Sequence, residues 1–175
     1  MVPDAELLER LRRSGIRIDR EGRFVHEGAE VQHEGLRRAL FRWLDAEPDG
    51  RVVLRLDPRR FAYVDVDDTP LVARAGRFSG QGDSEIFVLA LSDGSEEPLA
   101  PATLTIDDDG VLRARVRGGR LEARLATAVA ATLAERINLP SDGSSRAATL
   151  TLAGRAVPIL QRGARPPSGP PAGSR

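Results

Sequence analysis

The chain has 175 residues, 41% of them hydrophobic, enough to bury a substantial core in one domain or two small ones packed together. It carries 26 basic and 26 acidic residues, so no global basic field drives indiscriminate nucleic-acid binding. There are no cysteines, which excludes disulfides, thiolate metal sites and cysteine nucleophiles. All the basic residues are arginine, which excludes phosphate-loop, Schiff-base and general-base lysines.

Pro3 and Asp4 open a short helix with Leu7, Leu8 and Leu11 on one face and Gly15 as its stop, read as a docking helix over residues 1–15. The acids Asp4, Glu6 and Glu9 do not fit a signal peptide. No apolar run approaches the roughly 20 residues a membrane-spanning helix needs, so a cytoplasmic protein without membrane contact is expected. Residues 16–18 and 23–25 form a hairpin around Asp19 to Gly22, with glycine taking the last turn position. From residue 33 to about 46, Leu36, Leu40, Trp43 and Leu44 recur at spacings of three and four, the mark of a helix with one buried stripe, and Pro48 and Gly50 end it.

Strands over residues 52–56 and 61–66 are joined by the turn Asp57-Pro58-Arg59-Arg60. A second pair, residues 71–78 and 85–91, flanks Ser79-Gly80-Gln81-Gly82-Asp83. That glycine-spaced loop is read as a hairpin rather than a phosphate cradle, because Ile86-Phe87-Val88-Leu89 after it is strand-like. Residues 103–106 and 111–117 flank the turn Asp107 to Gly110. Gly118 and Gly119 lead into the longest expected helix, residues 120–137, with Leu121, Leu125, Val129, Leu133 and Ile137 at every fourth position, ended by Asn138 and Pro140. A last hairpin, residues 148–152 and 156–160, turns at Ala153-Gly154, and Pro158 puts its second strand at an edge. The proline-, glycine- and arginine-rich residues 162–175 are expected to be disordered.

The motif Ile-Asp-x-x-Gly occurs at Ile18 to Gly22 and again at Ile106 to Gly110, each followed by an extended run and a helix. This predicts an α+β fold built from a duplicated hairpin-helix-strands unit, with antiparallel sheets each covered by a helix. The halves are expected over residues 16–82 and 83–161. A seam between similar halves is a natural place for a ligand.

Three stretches carry a family resemblance: Ile18-Asp19-Arg20-Glu21-Gly22-Arg23-Phe24-Val25-His26-Glu27-Gly28, Val64-Asp65-Val66-Asp67-Asp68-Thr69-Pro70-Leu71, and Val116-Arg117-Gly118-Gly119-Arg120-Leu121-Glu122-Ala123-Arg124-Leu125. Together they resemble the bacterial family of domain of unknown function 1285, over about residues 14–137. The resemblance implies a duplicated α+β fold whose C-terminal half resembles pleckstrin-homology-like domains, a nucleotide-like ligand between the halves and a role in signalling.

The candidate ligand site starts from the strand over residues 111–117, where alternation gives Arg113, Arg115 and Arg117 one face. With Arg120 and the amides of Gly118 and Gly119 at a helix N-terminus, that stripe is suited to a phosphate. Its bland counterpart is a solvated strand face paired with Asp107 to Asp109. Asp67 and Asp68 are read first as a strand-ending turn, and under the resemblance as contacts for ligand hydroxyls. His26 and His33 lack the further ligands a zinc site needs, and no serine sits in a nucleophile elbow, so neither metal, cofactor nor catalysis is expected. Aromatic residues make up only 4% of the chain, too few for base stacking beyond what the core uses, and Arg117-Gly118-Gly119 is a single triplet. The leading expectation is a non-catalytic module binding a small anionic, nucleotide-like ligand and reporting to a protein partner. The alternative is a protein-interaction adaptor using a sheet edge near Pro158.

Overall fold

The computed structural model describes residues 13–139 and 147–162. The expected N-terminal helix therefore falls outside the described residues up to residue 12, and the expected tail outside them from residue 163. Among the described residues the fold is mixed α and β, with two helices and three sheets.

The first sheet has six strands: β1 (Arg13–Ile18), β2 (Phe24–His26), β3 (Ala29–Glu30), β4 (Leu44–Ala46), β5 (Val52–Arg55) and β6 (Phe61–Val66), in the order β3-β2-β1-β6-β5-β4. The expected hairpin forms between β1 and β2, with Ile18 opposite Phe24. Strands β5 and β6 pair antiparallel across the Asp57 turn, where Asp57 Oδ1 accepts the amides of Arg59 and Arg60.

Helix α1 (Glu34–Trp43) starts where His33 Nδ1 accepts the Leu36 amide, satisfying one of the free first-turn donors. It ends at Trp43, earlier than expected. Leu44 is already extended and opens β4, while Pro48 and Gly50 shape the β4–β5 turn, in which the Gly50 amide donates to Glu47 O. The helix buries Leu40 and Phe41, leaves Trp43 half-buried and Leu36 exposed, and Leu44 is buried just beyond it at the start of β4. Phe41 meets Phe24 edge-on, with ring centroids 4.7 Å apart.

The second sheet has seven strands: β7 (Leu71–Ser79), β8 (Ile86–Leu91), β9 (Glu96–Pro98), β10 (Thr105–Ile106), β11 (Leu112–Val116), β12 (Leu121–Leu125) and β16 (Leu160–Gln161), in the order β16-β10-β11-β12-β7-β8-β9. The hairpin over the glycine-spaced loop forms as expected, and both its strands lie in this sheet, so sheet membership changes between residues 66 and 71. A third sheet joins β13 (Ile137–Asn138), β14 (Thr149–Leu152) and β15 (Arg155–Pro158), with β15 at its edge as Pro158 requires.

Two expectations are corrected. The helix predicted over residues 120–137 is a strand, β12, followed by the short helix α2 (Thr127–Ala134). Leu121 and Leu125 fit a spacing of four and a spacing of two equally well. With Ala123 also buried between half-buried Glu122 and Arg124, the strand period won, because β11 and β7 pair with this segment on both sides. Nor are the sheets purely antiparallel: β1 with β6, β7 with β12, and β10 with β16 run parallel.

One continuous core joins both large sheets, from Ile18, Phe24, Leu40 and Leu54 through Leu71, Phe87, Leu121, Val129 and Leu133 to Leu150 and Ile159. Helix α2 packs on β7 at Gly76, where an added Cβ would stand 2.5 Å from Phe87 Cζ and 2.9 Å from Val129 Cγ1, so only glycine permits that approach.

Candidate functional site

A cleft runs between the two large sheets. One part, of about 300 Å³, lies between Ala46, Val52 and Val66 of the first sheet and Arg115, Leu121 and Glu122 of the second, with Arg120 and Arg162 on its wall. A neighbouring cavity of about 190 Å³ lies under the end of α1, beside Trp43, Asp45, Arg55 and Arg117. Arg120 and Leu121 line both.

The arginine stripe read from β11 divides into three different fates. Leu112, Ala114 and Val116 are buried, as the alternation requires. Arg113 is buried as well: its guanidinium donates to Asp68 at 2.8 Å and to Asp107, so Asp68 is a structural counter-ion. Asp68 also pairs with Arg124 at 3.3 Å. Asp67, more exposed, accepts from Arg17 at 2.8 Å. Arg115 stays exposed, and its guanidinium has no hydrogen-bond or ion-pair partner among the described residues.

Arg117 lies beyond the strand, in a left-handed conformation at φ 51°. Its guanidinium donates to the carbonyls of Phe41 at 2.9 Å and Leu44 at 3.0 Å, and pairs with Asp93, whose side chain is only 4% exposed. Its amide donates to both oxygens of Glu97 at 3.0 Å. Arg117 thus caps the C-terminal carbonyls of α1 from the other sheet, where positive charge also suits the helix dipole. Although burial alone would raise the Asp93 pKa, hydrogen bonds from Ser95 and Arg117 hold it below the usual carboxylate range.

Gly118 and Gly119 occupy the β11–β12 turn at φ 65° and 86°, not the N-terminus of a helix, because β12 follows them. The helix-dipole contribution expected there is therefore absent. Arg120, exposed over most of its side chain, is ion-paired with Asp45 of β4. Asp45 also accepts from Arg55 Nε at 3.0 Å and from the Ala46 amide at 2.7 Å. Burial opposes ionisation here too, yet the Ala46 amide and the Arg120 and Arg55 guanidiniums keep the Asp45 pKa lowered.

Of the predicted residues, the fold brings Arg115, Arg120 and Asp68 to the larger cleft and Arg117 and Arg120 to the smaller. Arg113, Asp67 and the glycine pair are not on its walls. Missed by the sequence were Asp45, Arg55 and Arg162. Arg162 stands just past β16, where its amide donates to Ile106 O and its side chain to Glu122 at 2.7 Å. No local pattern marks it, since it reaches the cleft only through the parallel pairing of β16 with β10.

Among the described residues no group of three or more histidine, aspartate or glutamate side chains is placed to hold a metal, and no helix is long and apolar enough to cross a membrane. His33 is spent on the α1 cap, and His26 is exposed on β2.

A mixed α and β architecture of three sheets, with a charged cleft between the two larger ones, is thus the class of protein. No family model matches the chain, and no curated protein does. Its fold is that of two solved DUF1285 family proteins. The one from Silicibacter pomeroyi DSS-3 superposes with a TM-score of 0.68 at 20% identity, covering 85% of this chain and 80% of that one. The one from Shewanella baltica OS155 gives 0.56 at 17% identity, covering 71% and 93%. Both support the resemblance carried by the three sequence stretches, and at this identity they establish the shared fold.

Proposed function

We propose that this protein is a non-catalytic, cytoplasmic module that binds a small anion, nucleotide-like in character, in the cleft between its two large sheets and reports occupancy to a protein partner. One observation carries the reading: Arg115, free of partners among the described residues, shares a cleft of about 300 Å³ with Arg120 and Arg162. The carboxylates on the same wall are already committed, Asp68 to Arg113 and Arg124 and Glu122 to Arg162, which leaves the surplus positive charge facing the cleft. A phosphate is matched to guanidinium geometry.

The reading takes the two halves as copies of one unit, the second resembling a pleckstrin-homology-like fold. Strand order supports the duplication: β1-β2-β3 and β10-β11-β12 are each antiparallel and each followed by a helix and a three-strand meander, and a later strand lies parallel to the first of each set, β6 as the last strand of its meander and β16 as the strand just after its own.

Thermal unfolding with and without a nucleoside monophosphate tests the function. Stabilisation by about 2.7 kcal/mol is expected at a hundredfold excess over Kd. Arg115→Ser combined with Arg120→Ser abolishes it and leaves the ligand-free melting temperature nearly unchanged. Arg117 is unsuitable for this test because it caps α1. The sheet-edge adaptor has less support, since edge strands β15 and β9 both carry prolines, Pro158 and Pro98, that blunt pairing.

A further inference from the structure

The contacts of Arg120 separate two roles that a ligand arginine can have. Arg115 is free to meet an incoming anion, whereas Arg120 already holds one, the carboxylate of Asp45 across the seam between the sheets. Asp45 comes from β4 of the first sheet and Arg120 from the β11–β12 turn of the second, and Arg120 lines both parts of the cleft.

The two partners are unequal in what they lose on parting. Asp45 is mostly buried and keeps two other donors, Arg55 Nε at 3.0 Å and the Ala46 amide at 2.7 Å. Its charge stays compensated when Arg120 leaves, so the usual penalty for a stranded buried carboxylate does not arise. Arg120 is 63% exposed and sits in a turn with two glycines before it, so its guanidinium can move at little cost.

Resting on the cleft reading above, we propose that Asp45 is a specificity-determining residue: an internal carboxylate that competes for Arg120, so that only an anion of higher charge than a carboxylate takes the guanidinium over. A carboxylate ligand would exchange one singly charged partner for another and gain nothing from Arg120. A phosphate monoester, carrying up to two negative charges above its second pKa of about 6, gains from both Arg115 and Arg120. Binding is then an exchange, in which Arg120 passes from Asp45 to the ligand while Asp45 remains with Arg55.

Trp43, the single tryptophan, lines the smaller cavity together with Asp45 and Arg120, and so supplies a fluorescence readout of that exchange. The experiment titrates methyl phosphate and acetate into the full chain at constant ionic strength and neutral pH, by calorimetry and Trp43 emission. Wild type is expected to bind methyl phosphate and not acetate. Asp45→Asn, which removes the competing charge and keeps the shape, should bind methyl phosphate roughly fivefold tighter, the low end of ordinary coupling between interactions. It should also bind acetate. In an Arg120→Ser background the Asp45→Asn gain should vanish, which a merely structural role for Asp45 would not produce. Unchanged or weaker methyl phosphate binding by Asp45→Asn, or an equal gain without Arg120, overturns the competition while the cleft reading stands. Binding by neither wild type nor Asp45→Asn overturns both.

Discussion

The two Ile-Asp-x-x-Gly turns share a backbone and differ in what surrounds them. At each, the glycine amide donates to the aspartate carbonyl at 3.0 Å, and aspartate Oδ1 accepts two amides further on: Glu21 and Arg23 at Asp19, Asp109 and Val111 at Asp107. In each an arginine pairs with Oδ2. Arg23 comes from four residues along and stays 47% exposed, bridging also to Glu21 and Glu30. Arg113 comes from β11, is 11% exposed, and extends the pairing to Asp68 in the segment between the two large sheets. The first turn is instead held from outside, by Arg74 donating to Glu21 O at 3.2 Å and Arg124 donating to Arg20 O at 2.8 Å. One motif therefore specifies one local turn, while the role of its arginine is set by the sheet that lies next to it.

Several substitutions sharpen that difference. Arg113→Met removes the buried guanidinium that ties Asp107 to Asp68, leaving Asp68 with Arg124 alone and Asp107 with its turn amides, and chemical denaturation should register a loss of about 2 kcal/mol. Arg23→Met, at an exposed pair, should leave the unfolding midpoint almost unchanged; equal losses at the two sites would refute the distinction. Glycine replacements come next. Gly22 and Gly110 sit at φ 74° and 77°, so alanine costs about 1 kcal/mol or more at either. At Gly22 a Cβ would stand 3.1 Å from Val72 Cγ2 and 3.3 Å from Ser92 Oγ, whereas at Gly110 nothing lies within 4 Å. Gly22→Ala should therefore melt lower than Gly110→Ala.

The smallest effect expected is in pH dependence. Burial works against ionisation at both aspartates, but hydrogen bonds from the Arg23 amide and side chain at Asp19, and from the Arg113 side chain and Val111 amide at Asp107, leave both pKa values lowered. A lowered folded pKa contributes stability that is present above the ordinary aspartate value and lost as pH falls through the folded one, below about pH 4. Asp19→Asn and Asp107→Asn should each flatten the fall of melting temperature on acidification. A curve as steep as the wild type's would show that the carboxylate concerned does not contribute.

Much of the fold was legible because it is local. The Asp19, Asp57, Asp107 and Ala153-Gly154 turns, the strands they join and the edge position of Pro158 follow from side-chain hydrogen bonds, positive backbone angles and a missing N–H, each set within a few residues. Residues 121–125 were not legible. Leu121 and Leu125 satisfy both periods, and what decides is a pair of neighbouring strands, one of them some fifty residues earlier in the chain. The candidate site divides in the same way. Alternation along β11 correctly placed Leu112, Ala114 and Val116 inside, but it could not tell that Arg113 would meet Asp68, that Arg117 would cap a helix in the other sheet, or that of the three stripe arginines Arg115 would be the one without a side-chain partner among the described residues.

The sequence by itself determined the turns, most strand positions, the absence of lysine and cysteine chemistry, and the resemblance later matched by the fold of two solved DUF1285 proteins. Tertiary structure alone decided which arginines are spent and which remain, the three parallel pairings, and the cleft that gathers Arg115, Arg120 and Arg162. The physical reason is range: a turn closes within four or five residues, whereas a guanidinium chooses among carboxylates and carbonyls that folding brings from as far as 104 positions away.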